Sequence, residues 1–200
     1  MKEKRAHASS THQHQPASKL TKPTPKPIDS FSAAEARIAV SRQRLPNFPA
    51  QLSTLTRLGR HINKLSQESA NLALRPHSLN LVAYNTLMML YGTADDRLSP
   101  SQLADASGEK RTNITRICDE LTEQGLIARV AGVDDRRSVV VSLTRRGIQL
   151  IESLQPVMTQ LLRQMYSDFS AVELRELQRL LRKQLAQLDR SLLAATGRAT

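Results

Sequence analysis

Between Ser99 and Leu143 the chain breaks into elements too short to bury a core alone, and each break falls at a residue with a defined backbone role. Ser99-Pro100-Ser101-Gln102 sets an N-cap serine, a proline at the first helical position and a glutamine at the third, the pattern that opens a helix. That helix is brief, because Gly108 stops it. The next runs over about 110–124 to Gly125, with Ile114, Ile117, Cys118 and Leu121 on one side. Two β runs follow at 126–130 and 139–143, rich in Val, Ile and Leu. They are joined by a polar stretch holding Asp134, Asp135, Arg136 and Arg137. This spacing predicts a β-hairpin.

Longer helical patterns flank these short elements. Ser32 and Glu35 have capping-box spacing for a helix over 33–44, stopped at Leu45-Pro46. A longer helix is expected from 49 to 74, with Leu52, Leu55, Leu58, Ile62 and Leu65 on one stripe and Pro76 ending it. Another spans 80–91 to Gly92. Beyond the hairpin, Thr144 caps a helix through about Tyr166, with a bend expected near Pro156. Ser170 and Glu173 form a further capping box, and the last helix carries Leu174, Leu177, Leu181, Leu185, Leu188 and Leu192. One chain has little left to cover that seam. The expected fold is mainly α with a small β-hairpin wing: a winged helix-turn-helix over 95–144, flanked by long helices at 32–94 and 145–200.

Charge narrows the partner. The net charge is +11, an electrostatic footprint suited to a polyanion. Residues 1–47 hold nine Lys/Arg against three Asp/Glu, so just over half of that excess lies at the N-terminus. Residues 1–31 form a basic tail in which Pro16, Pro23, Pro25 and Pro27 alternate with Lys19, Lys22 and Lys26. Such a composition cannot offset its chain entropy and is expected to be disordered. It reads either as a mobile tail or as an arm that follows phosphates. With no apolar run near the ~20 residues of a membrane span, no secretory signal and one cysteine, the expectation is a cytoplasmic protein.

A short helix, a tight turn and a polar-fronted second helix make a helix-turn-helix. Arg pairs bidentately with guanine, Asn with adenine, and Thr meets polar edges or a thymine methyl. Arg111, Thr112, Asn113, Thr115 and Arg116 supply that set, with Ser101 and Lys110 beside it. The bland reading is an amphipathic helix with a solvated face. The arginine-tipped hairpin favours DNA, because Arg136 and Arg137 there would reach an adjacent minor groove.

The run Arg111-Thr112-Asn113-Ile114-Thr115-Arg116-Ile117-Cys118-Asp119-Glu120-Leu121, then Gly125-Leu126-Ile127, Asp134-Asp135-Arg136-Arg137 and Leu143-Thr144-x-x-Gly147, resembles the MarR family of transcriptional regulators over residues 48–193. Ser41-Arg42 and Asn47-Phe48-Pro49 make it most similar to the EmrR type, repressors of multidrug-efflux operons. The resemblance implies a homodimer with interleaved first and last helices, placing two reading helices on a pseudo-palindromic operator. It assigns Asp135 to bracing an arginine, Arg137 to the minor groove and Arg136 to a phosphate. It also implies release from double-stranded DNA by a small aromatic or lipophilic effector.

For that effector the sequence offers His61 beside the apolar stripe, Tyr84 and Met88 one turn apart, and Arg57 and Arg60 as partners for an anion. The bland reading makes Tyr84 and Met88 core, and the arginines a solvated face. Cys118, between Ile117 and Leu121, reads as inert packing rather than a redox sensor. His7, His12 and His14 lack a carboxylate or cysteine cluster, so no metal or other cofactor is expected. No phosphate-cradling loop or nucleophile arrangement points to an enzyme. The alternative class is a ligand-independent DNA-organising or anti-silencing protein, which the basic tail suits.

Overall fold

Residues 30–131 and 139–197 are described by the computed structural model, in two units that meet in sequence at Thr54 and Leu55. The first unit carries helix α1 (Ser32–Arg44) and the start of α2 (Ala50–Leu74). The capping box expected at Ser32 is not how α1 begins. Phe31 is the N-cap, with αR backbone and no side-chain cap bond, and its carbonyl accepts from the Ala34 and Glu35 N–H groups at 2.8 and 3.2 Å. A serine caps only from extended backbone, and Ser32 is already inside the helix. At the other end Leu45 is extended, at φ −116° and ψ 113°, as a residue before proline must be.

The second unit holds the rest of α2, α3 (Leu81–Tyr91), α4 (Pro100–Ser107), α5 (Arg111–Glu123), α6 (Arg145–Met165) and α7 (Ala171–Thr196). Its three-stranded antiparallel sheet runs β1 (Arg97–Leu98), β3 (Val139–Leu143), β2 (Ile127–Ala131). The expected hairpin is therefore the β2–β3 pair, in register Ile127↔Leu143 to Ala131↔Val139. β1 adds to its other side through Arg97↔Ser142 and Leu98↔Val141. Two residues are too few to show periodicity, which is why this strand is silent in the sequence.

Proline and asparagine shape the entry to α3. Pro76 sits in a 3-10 turn, Arg75–His77, that ends α2. The Asn80 side chain then caps α3 through the Ala83 N–H at 2.9 Å. Asn71 on α2 accepts the Leu81 N–H at 2.7 Å, tying the two helices across the turn. The core gathers Leu74, Leu87, Leu90, Leu103, Ile114, Ile117, Leu121, Ile127, Val141 and Leu154, one or more from each of α2 to α6 and from β2 and β3. Each is worth about 1.5–3 kcal/mol against remaining exposed. α6 runs unbroken through Pro156.

The seams are different. Leu52, Leu55, Ile62 and Leu65 of α2 are exposed, as are Leu181, Leu185, Leu188 and Leu192 of α7, which buries no residue at all. Ser170 and Glu173 still form the expected capping box at its start, and Ser170 holds the Glu173 carboxyl below its ordinary range by hydrogen bonding. No described helix is long and apolar enough to cross a membrane.

Candidate nucleic-acid interface

The turn between α4 and α5 is built by local chemistry. Ser99 Oγ accepts the Gln102 N–H at 3.2 Å, and Gln102 Oε1 accepts the Ser99 N–H at 2.8 Å. This reciprocal pair fixes where α4 starts. Gly108 ends it with φ +69°, a left-handed conformation that favours glycine. Lys110 then caps α5 with extended backbone. Ile114, Ile117, Cys118 and Leu121 are fully buried and fix the rotation of α5 about its axis. Arg111, Thr112, Thr115 and Arg116 are consequently exposed along the opposite face, with Asn113 half-buried between. Ser101 is exposed in the first turn of α4.

These exposed groups are not equally free. Arg111 makes no side-chain hydrogen bond or ion pair among the described residues, whereas Thr115 Oγ1 donates to the Arg111 carbonyl at 2.9 Å. Asn113 is held at both ends: its Nδ2 donates to Glu109 Oε2 at 2.8 Å, and its Oδ1 accepts from Arg116 Nη2 at 2.9 Å. Arg116 also pairs with Glu120. These contacts take one of the amide's two N–H donors and one of its oxygen's two lone pairs, so Glu109 and Arg116 orient Asn113 and leave it the donor and acceptor pair that suits adenine. Glu109 and Glu120 were not singled out from the sequence. The i,i+4 spacing of Glu109–Asn113 and Arg116–Glu120 is the signal that could have found them.

A second brace reaches the sheet. Arg129 in the middle of β2 pairs with Asp119 on the outer face of α5, joining the hairpin to the helix. The expected tip residues Asp135, Arg136 and Arg137 lie outside the described residues, as do residues 1–29 of the expected tail. At the hairpin's base, Thr144 Oγ1 donates to the Gly125 carbonyl at 2.7 Å and accepts the Gly147 N–H at 3.1 Å. This explains the Thr144-x-x-Gly147 spacing. One hydroxyl both caps α6 and holds it against the turn that follows α5.

The five effector candidates are spread out. Arg57 and Arg60 are exposed on α2 and His61 is half-buried there. Tyr84 packs half-buried against the core, and burial pushes its phenol pKa up. Met88 alone of the five lines a cleft of about 430 Å³, with Val82, Asn85 and Met89 of α3 on one wall and Ala106, Ser107 and Glu109 on the other. Cys118 is fully buried, and burial raises its thiol pKa. Iodoacetamide at neutral pH is therefore expected to label Cys118 only after denaturation; labelling of the native protein within minutes would contradict its role as packing. The described residues contain no His/Cys/Asp/Glu cluster of metal-site form.

Comparison with known proteins agrees with this architecture. A MarR family profile matches residues 77–138. The transcriptional repressor MprA of Escherichia coli K12 is 33% identical over 160 residues, 80% of this chain and 91% of the relative. The HTH-type transcriptional regulator PrsX of Escherichia coli is 30% identical over 162 residues, 81% of this chain and 98% of the relative. Among solved structures, a cysteine-to-serine mutant of Escherichia coli MarR complexed with operator DNA superposes with a TM-score of 0.62. It is 25% identical, spanning 70% of this chain and 99% of that one. With the second helix of a helix-turn-helix set by four buried side chains, a three-stranded winged sheet behind it and two such relatives matched over nearly their whole length, the chain belongs to the MarR family of transcriptional regulators.

Proposed function

We propose that this protein is a homodimeric, sequence-specific DNA-binding repressor of a multidrug-efflux or detoxification operon, released by a small aromatic or lipophilic compound. The observation that carries the DNA reading is the outer face of α5. Arg111, Thr112, Asn113, Thr115 and Arg116 stand on a helix whose rotation is fixed by the core. Lys110 and Ser101 are further DNA contacts in this reading, with Arg136 on a phosphate, Arg137 in the minor groove and Asp135 bracing an arginine. Repression is what the name of MprA says of that relative. The dimer is supported by the bare leucine seam of α7, since a soluble monomer seldom exposes so long an apolar stripe.

An effector site is supported by the cleft at Met88, whose volume suits a small organic molecule. Arg57, Arg60, His61 and Tyr84 remain the candidate partners of an anionic compound. The basic N-terminus favours a second reading, a ligand-independent DNA-organising protein. Selection of bound duplexes from a random pool separates the two. A repressor recovers one pseudo-palindrome with half-sites about 10 base pairs apart, whereas an organising protein recovers no consensus. On the selected site, Asn113→Ala is expected to relax preference at one base pair per half-site, worth about 1–3 kcal/mol of discrimination. Unchanged preference across all positions would remove Asn113 from the readers.

A further inference from the structure

The cleft at Met88 has a chemical bias. Met88, Met89 and Val82 give it polarisable and aliphatic walls, and Glu109 is the one ionisable side chain among its lining residues. Thioethers pack well on aromatic rings. A lone carboxylate in such a wall attracts a cation and repels an anion, so charge alone selects between ligands of similar shape.

The same carboxylate touches the reading helix. Glu109 Oε2 accepts the Asn113 Nδ2 hydrogen bond at 2.8 Å, and Asn113 passes the contact to Arg116 at 2.9 Å. A cation that draws the Glu109 carboxylate toward the cleft removes the partner that orients the Asn113 amide. Binding and reading then compete for one side chain, which gives the two sites a coupling free energy.

We propose that this cleft binds a lipophilic monocation with an aromatic body, and that Glu109 transmits its arrival to Asn113 and weakens DNA binding. The coupling rests on the ligand-responsive repressor reading above; the site and its charge preference do not. Glu109→Gln keeps an oxygen to accept from Asn113 while removing the charge. Ala106→Trp fills the cleft from an exposed position.

The test titrates the full-length chain with tetraphenylphosphonium and with tetraphenylborate, its anionic counterpart, by calorimetry. Affinity for the selected DNA site is followed in parallel by fluorescence anisotropy. Tetraphenylphosphonium is expected to bind once per chain and to weaken the DNA complex by about tenfold. Glu109→Gln should weaken the phosphonium by about tenfold or more. Ala106→Trp should abolish phosphonium binding without lowering Tm. Phosphonium binding unchanged in both variants, or borate competing for the cleft with equal affinity, overturns the assignment. Glu109-dependent binding without DNA release overturns the coupling and leaves the site standing. If lipophilic anions release DNA while the phosphonium does not bind, the repressor reading stands and the cleft assignment falls.

Discussion

Gly147→Ala is expected to destabilise the protein by about 3 kcal/mol or more, lowering the midpoint of thermal unfolding by on the order of 10 °C. A Cβ at this position would lie 2.2 Å from the Leu126 carbonyl oxygen and 3.1 Å from its carbon. Both atoms are backbone in the residue just before β2, so neither can swing aside as a flexible side chain would. The Leu126 oxygen is also committed, accepting the Thr144 N–H at 3.1 Å, and the Gly147 N–H holds the Thr144 cap. Relieving the clash would shift α6 off the turn between α5 and β2 and loosen the anchor of the hairpin. Gly59→Ala provides the contrast. Gly59 lies within α2 with nothing within 4 Å of an added Cβ, so the change should stabilise by about 0.5–1 kcal/mol. Thermal unfolding followed by circular dichroism checks both. Equal midpoints for Gly147→Ala and wild type would refute the close approach.

The second large effect is expected from Leu181→Glu combined with Leu185→Glu. Both leucines are more than half exposed on α7, at 56% and 58%, and with Leu174, Leu177 and Tyr166 they line an apolar groove. In one chain the substitutions cost little, because charged residues on an exposed helical face are well solvated. In a dimer built on this seam each buries a charge where a leucine contributed about 1.5–3 kcal/mol. Sedimentation should report a monomer with intact helix content. Affinity for a two-half-site DNA should fall by on the order of a thousandfold, since each monomer offers one reading helix and loses the gain from linked binding. A variant that stayed dimeric with wild-type DNA affinity would remove α7 from the interface.

What the sequence by itself determined is what short-range physics controls. The start of α4 at Ser99, of α6 at Thr144 and of α7 at Ser170 was legible because a cap bonds three residues ahead. Gly108 and Gly125 marked turns because each carries a positive φ. The buried side of α5 followed from helical period, and with it the exposed Arg111, Thr112, Thr115 and Arg116. The same logic failed at Ser32, where spacing alone suggested a cap that Phe31 occupies instead.

The tertiary structure decided what depends on distant partners. β1 exists only because β3 offers a free edge to Arg97 and Leu98. Asp119 meets Arg129 only because β2 returns alongside α5. Gly147 is required by a carbonyl twenty-one residues earlier, a contact no local pattern encodes. The effector candidates divided for the same reason: Arg57, Arg60, His61, Tyr84 and Met88 share suitable chemistry, but only Met88 borders the cleft. Residue type and period specify which face a helix presents, and only the packing of α3 against the α4–α5 turn specifies what that face encloses.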